Sequence, residues 1–489
     1  NTTLSVSPVT DATTTDGGKI TIGTDGSFDY TPKTGTSSLS DTYTYTLNST
    51  NGTTGTGTVT ISISGILWFV NNTVSTNGDG SLARPFKQWS DFGIVNTGSG
   101  LVPKDNHTVF VYSGTGDYSG AVTLRPGQKI LGQGSTTSLS SFAEISVPAF
   151  RKALPAVNLT APNLISSGNT ITLSSGSHKF RGFSLGNSTK AIVGSTFGTL
   201  TLDEVQISGT GQALDLTSGA LAANITSLSS TNSNGSGVSL NAVSGTLTVS
   251  VSTTITNPTA SGISITGAST VNCNFGNSTI NQSGNTALVL NSTSSQSNTF
   301  GELNIAPDAN VSAINSSSAG TITCTSGTIS TSGAVGATIG NSSSATMGTL
   351  AMVLTSFTAS GSTAGLIVRN TNGSFSINGS STTAGSGGSI SNVSQKGIEA
   401  RNTASITLKN MNFTNANTID GVTSSNTDNS GSNAALYFNT VNGLVLDNIQ
   451  MNATAGNANA QHGISLNNVN NFSLNNSTIT RCGTSNDTE

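Results

Sequence analysis

The tightest grouping of ionisable side chains in the sequence is His178, Lys179 and Arg181, followed by Asp203, Glu204 and Asp215. Three basic groups and three carboxylates could cleave an acidic polysaccharide. Carboxylates would hold a cation or serve as acid and base, and an Arg or Lys would abstract a proton or neutralise a uronate. The supply elsewhere is thin. Residues 160–400 hold six acids (Asp203, Glu204, Asp215, Glu302, Asp308 and Glu399), and no Lys or Arg lies between Lys190 and Arg369. The six do not converge in the sequence, so the His178 grouping reads as a solvated charge cluster, and the chain is expected not to be an enzyme. His107 and His462 have no ligand partners at metal-binding spacing. They read as surface or turn residues, with no metal site expected.

The elements that would carry such residues are β-strands. Ser (78), Thr (77), Gly (57) and Asn (53) make up 265 of the 489 residues, or 54%. All four are poor helix formers, because they compete for backbone hydrogen bonds or cost backbone entropy. The 33% hydrophobic content and net charge of −4 argue against a disordered chain. Seventeen Lys and Arg against 21 Asp and Glu leave no basic footprint for nucleic acid. No apolar run approaches the ~18 residues of a membrane span. Three cysteines cannot build a disulfide scaffold.

Short apolar anchors recur at Ile192, Leu214, Val238, Ile263 and Leu288, with spacings of 22, 24, 25 and 25 that later stretch to 38. A second register runs in phase, through Thr199-Leu-Thr-Leu202, Thr246-Leu-Thr-Val249, Asn272-Cys-Asn-Phe275 and Ser405-Ile-Thr-Leu408. Alternation within each run and repetition between runs predict stacked coils with two or three strands each, apolar side chains inward and hydroxyls or amides outward. Twelve to fourteen coils at ~4.8 Å would make a right-handed parallel β-helix roughly 60 Å long. Cys273 and Cys324, 51 residues apart, are expected at equivalent inward positions two coils apart. That is too far for a disulfide. Cys482 has no assigned role.

Residues 1–65 differ, with short alternating runs such as Lys19-Ile-Thr-Ile22 and Thr42-Tyr-Thr-Tyr-Thr-Leu47 between Asp-Gly and Asn-Gly turns. They predict a small β-sandwich. Asp25-Gly-Ser-Phe-Asp-Tyr-Thr-Pro32, the Thr42–Leu47 run and Thr58-Val-Thr-Ile61 resemble the cadherin-like and immunoglobulin-like (Ig-like) repeats of large bacterial surface proteins. That resemblance implies calcium as the one cofactor of the module, although Asn48-Ser-Thr-Asn-Gly52 stands where such repeats carry Asp-Gly. Trp68-Phe-Val-Asn-Asn72, Gly78-Asp-Gly-Ser81, Val109-Phe-Val-Tyr112 and Leu124-Arg-Pro-Gly-Gln-Lys-Ile-Leu-Gly132 resemble the start of pectate-lyase-like β-helices in secreted and surface proteins, a superfamily of lyases, hydrolases, tailspikes and adhesins.

The expected architecture is therefore all-β: an Ig-like sandwich over residues 1–65, then a parallel β-helix over 66–489, with opening coils in 66–160 and repeats in 161–489. The chain reads as a piece of a cell-surface or secreted bacterial protein, an adhesion or stalk module that contacts cells, glycans or a neighbouring subunit. The expected contact residues are Thr414, Asn433, Asn452 and Gln461, in the longest loops. Three alternatives remain: a filament subunit, a polysaccharide lyase or glycosidase of the same fold, and an ice-binding solenoid built on the outward Thr rows.

Overall fold

A computed structural model describes residues 3–33, 40–63, 65–99, 102–147, 153–292, 295–340, 348–418, 434–452 and 462–482. The protein is 57% strand and 3% helix, a right-handed β-solenoid of about 13 turns with small antiparallel sheets at its N-terminus. Its contacts define two compact units: Asn1–Ser166 with Ile171–Ser184, and Ser167–Thr170 with Leu185–Glu489. Among the described residues no helix is long and apolar enough to cross a membrane.

The first unit opens with two three-stranded antiparallel sheets. Leu4–Val6, Ser40–Ser49 and Thr54–Ser62 form one, and Val9–Thr13, Lys19–Ile22 and Phe28–Thr31 the other. A single carboxylate ties them together. Asp41 is buried and accepts hydrogen bonds from the Thr14 hydroxyl, Asp16 N (2.9 Å), the Tyr30 hydroxyl (2.8 Å) and Thr42 N (2.7 Å). Burial pushes its pKa up, but these donors outweigh burial and hold it below the usual carboxylate range. Asp41→Ala strands the Tyr30 and Thr14 hydroxyls and is expected to destabilise this module by about 2–3 kcal/mol, read by thermal or urea unfolding. Because the folded pKa is depressed, the contribution is complete above the unfolded value of ~3.9. It fades as pH falls through the folded value.

The coils begin within this unit. Leu67–Val70 pairs in parallel with Thr108–Val111, which pairs with Lys129–Gly132, which pairs with residues 179–181. Two short helices, Trp89–Asn96 and Leu139–Ala143, interrupt the strands because each carries large apolar side chains (Trp89 and Phe92; Leu139 and Phe142) that the core takes in fully.

In the second unit each coil has three strands. Residues 214–217, 219–225 and 228–231 pair in parallel with 238–241, 243–249 and 253–256 of the next coil, and these pair with Ile263–Thr266, Asn272–Asn274 and 278–281. The predicted anchors stack: Leu214, Val238, Ile263, Leu288 and Ile314 are opposite one another in successive coils and at most 1% exposed. Cys273 and Cys324 are both buried free thiols, but not at equivalent positions. Cys273 pairs with Leu247 and Asn298, whereas Cys324 pairs with Phe300. The strand Ser297–Ala306 sets the two thiols two residues out of step.

The corners explain the composition. A three-sided coil must bend sharply between strands, and it does so through single residues with left-handed φ. Most are Asn, including Asn370 (53°) and Asn402 (49°) between the first and second strands, Asn410 (57°) and Asn448 (54°) between the second and third, and Asn232 (52°) and Asn257 (54°) after the third, while Ser218, Ala242 and Thr440 take the first corner in other coils. Asn tolerates this conformation better than other non-glycine residues. Its amide then links coils, as Asn402 Nδ2 does by donating to Asn370 Oδ1 at 2.8 Å and Asn257 Nδ2 to Asn232 Oδ1 at 2.7 Å.

Candidate functional site

Along the first strand of each coil, side chains alternate between the core and the outer face. Most outer positions hold Ser, Thr or Asn, but three late coils do not. The strands Ala364–Ile377, Lys396–Lys409 and Ala434–Asp447 run in parallel with Ile367, Glu399 and Tyr437 in one outer row and Arg369, Arg401 and Asn439 in the next. Lys396 pairs with Ala364 at the start of the same strands. Coil stacking thus gathers groups about 30 residues apart in sequence.

Glu399 is the centre. Its Oε1 accepts from Arg369 Nε at 2.7 Å, its Oε2 from Lys396 Nζ at 3.2 Å, and Arg401 Nη1 stands 3.7 Å from Oε1. Lys396 Nζ also lies 4.8 Å from the Tyr437 ring centroid, a cation–π contact. The Glu399 side chain is 3% exposed and that of Lys396 6%, whereas Arg369 keeps 15% and Arg401 22% open to solvent. Burial would raise the Glu399 pKa, but the Arg369 hydrogen bond and the charge of Lys396 hold it below the usual carboxylate range. Burial pushes the Lys396 ammonium down, and this outweighs the pull of Glu399.

One residue further along the same strands the chain turns its corner. There Thr371, Asn372, Asn402, Thr403, Thr440 and Asn442 line a groove of about 270 Å3. It presents amides and hydroxyls, groups suited to sugar hydroxyls, and its lining residues follow Arg369 and Arg401 along their strands.

The residues singled out from the sequence fare differently. His178, Lys179 and Arg181 belong to the first unit. His178 is buried, not solvated, with Nδ1 3.2 Å from the Gln128 carbonyl and a pKa pushed down by burial. Lys179 Nζ lies 5.0 Å from the Phe142 ring centroid, and Arg181 Nη2 donates to Thr136 Oγ1 at 3.0 Å. Asp203, Glu204 and Asp215 belong to the second unit, where Asp215 pairs with Lys190. His107 is also buried, contrary to expectation. Its Nδ1 accepts from Trp68 Nε1 (2.9 Å) and Lys104 N (3.0 Å), and burial followed by the Lys104 charge pushes its pKa down to about 4. His462 is partly exposed at the start of the last long strand. Among the described residues no three His, Cys, Asp or Glu side chains gather as a metal site. Thr414 and Asn452 pair directly on adjacent coils. Asn433 and Gln461 lie outside the described residues.

Counting acids one by one missed the Glu399 cluster. The available signal was the repeat itself. Gly365-Leu-Ile-Val-Arg369 and Gly397-Ile-Glu-Ala-Arg401 put an Arg at the same position of consecutive anchors.

No protein-family model matches the chain, and no curated protein matches it. Among solved structures it is similar to the A-module of the mannuronan C-5 epimerase AlgE6 of Azotobacter vinelandii, at 12% identity and a TM-score of 0.33, over 79% of this chain and 93% of that one. It is also similar to a family 28 exopolygalacturonase of Yersinia enterocolitica, at 11% identity and a TM-score of 0.18, over 91% and 84% of the two chains. The expectation of a non-enzymatic chain is therefore corrected. Both neighbours are named as enzymes, and the premise that no charged groups converge fails at Glu399.

Proposed function

We propose that this chain is an extracellular β-helix protein that acts on an acidic polysaccharide at the Arg369–Lys396–Glu399–Arg401 cluster. The observation that carries the reading is the convergence of these four groups with Tyr437, with Glu399, Lys396 and Tyr437 buried and Arg369 and Arg401 partly open to solvent. The partly open guanidinium groups of Arg369 and Arg401 suit a uronate carboxylate, which they can grip in bidentate fashion. The groove suits the hydroxyls of neighbouring sugars.

The arrangement favours proton abstraction over hydrolysis. Glycoside hydrolysis uses two carboxyl groups, one of them protonated. Glu399 is the carboxylate at the centre of this cluster, and its depressed pKa keeps it ionised. Lys396, with its pKa pushed down, suits a general base. In its neutral form it would take the proton α to the uronate carboxylate, with the electron pair delocalised onto that carboxylate and stabilised by the guanidinium groups. Loss of the β-alkoxy group, which leaves as an alcohol by taking a proton from the Lys396 ammonium or from water, then gives an unsaturated sugar. Reprotonation of the same carbon by water from the opposite face, with the Lys396 proton returned to solvent, gives the epimer instead.

Incubation with polyuronates and neutral glycans, followed by assay for unsaturated ends and altered uronate stereochemistry, tests this. Product from polyuronates alone is expected, with a rate that rises with pH as Lys396 loses its proton. Lys396→Met should lower it by ~10²-fold or more. Turnover of neutral glycans alone, or unchanged turnover in that variant, would refute the assignment.

The outward Asn and Thr rows favour a second reading, retention of a glycan without turnover, as in an adhesion or stalk module of a large surface protein. Saturable glycan binding with no product would select it.

A further inference from the structure

Small polar side chains in the core of the second unit can bond to the backbone around them. Thr253 Oγ1 and Ser278 Oγ both donate to the Phe275 carbonyl, at 2.8 and 3.3 Å. Two longer amides in the same core do not fit this pattern. Gln296, Asn298 and Phe300 alternate with Ser297 and Thr299 where the strand Ser297–Ala306 begins, so their side chains point inward. Gln296 is 1% exposed and Asn298 0%. Asn298 Nδ2 donates to the Ala319 carbonyl at 3.3 Å. Asn298 Oδ1 and both amide atoms of Gln296, Nε2 and Oε1, have no hydrogen-bond partner among the described residues. Three such atoms left unpaired would cost a large part of a domain's stability, and buried polar groups are almost always satisfied.

The surroundings narrow what can satisfy them. Asn298 lies between Cys273 on the preceding coil and Ile322 on the following one, neither of which offers a strong donor. Gln296 directly precedes Ser297, and Gly320 directly precedes Thr321, the residue paired with Ser297. Gly320 is therefore level with Gln296 and places no side chain beside its amide. The unpaired set combines an N–H donor with two carbonyl acceptors. A cation suits the two oxygens but not the N–H, and the acid on this strand, Glu302, is exposed. Water both donates and accepts, and it is small enough for the space that a missing side chain leaves.

We infer that Gln296 and Asn298 form an internal water site in the core of the second unit, with the bound water bridging the Gln296 amide and Asn298 Oδ1. The inference is independent of the polysaccharide site.

Magnetic relaxation dispersion of the water oxygen counts the water molecules that stay bound for longer than the protein takes to tumble. The double variant Gln296→Met/Asn298→Leu, close in volume to the wild type, is expected to lose at least one of them with an unchanged circular dichroism spectrum. A crystal structure of the wild type that resolves solvent is expected to show a water within hydrogen-bond distance of both amides, a result that does not depend on the variant folding. An unchanged water count in the folded variant, a direct Gln296–Asn298 bond with no solvent between the amides, or a metal ion in place of the water would each overturn the inference.

Discussion

Replacing Glu399 with alanine is expected to destabilise the second unit by about 3–5 kcal/mol, the usual cost of removing one partner from a buried ion pair. The carboxylate sits between Arg369, Lys396 and Arg401, and both it and Lys396 are almost fully buried. Its removal leaves the Lys396 ammonium beneath the face without its closest counter-charge. Arg401→Ala should cost less, under about 1 kcal/mol, because that side chain is partly solvated and stands 3.7 Å away. Acid should reproduce the effect. A carboxylate with a depressed folded pKa stabilises fully above its unfolded value of ~4.3 and loses that contribution as pH falls through the folded value. Urea unfolding of the two variants at neutral and acid pH measures both. A Glu399→Ala midpoint equal to wild type would show that the cluster does not hold the face together.

The second large effect belongs to the core. Phe275 and Phe300 lie on adjacent coils, both fully buried, with ring centroids 5.5 Å apart and planes inclined by 15°. Phe300→Ala removes one ring of this stack and leaves a cavity that strands on either side cannot close, because backbone ladders fix the coil spacing. The expected loss is about 3–5 kcal/mol. In a solenoid, each coil contacts mainly its neighbours. Hydrogen exchange should therefore rise most around Cys273 and Cys324, next to the cavity, and little around Leu214 or Leu444. Uniform acceleration through the second unit would indicate that it unfolds as one block.

The two cases also show what could be read from sequence. The first-face anchors were legible because Leu214, Val238 and Ile263 alternate with polar residues at a steady interval, and each faces the next. The third strand of each coil left a weaker trace. Ser252–Thr256 and Asn277–Asn281 each bury a single large apolar residue, Ile255 and Ile280, among hydroxyls and amides, so composition alone does not separate them from turns. Buried His107 and His178 were misread as exposed because their partners, Trp68 and the Gln128 carbonyl, are 39 and 50 residues away. Glu399 was discounted for the same reason. Its nearest cation in sequence is Arg401, yet its shortest bond is to Arg369, one coil back. Coil length, not sequence proximity, decides which charges meet.

The most direct measurement of the central claim is calorimetric titration of the wild type and Arg401→Ala with a polyuronate and with a neutral glycan of similar length. The proposed site predicts binding of the polyuronate, at least ~10-fold weakening in the variant, and little response to the neutral polymer. Equal binding of both polymers, or undiminished polyuronate binding by Arg401→Ala, would contradict it.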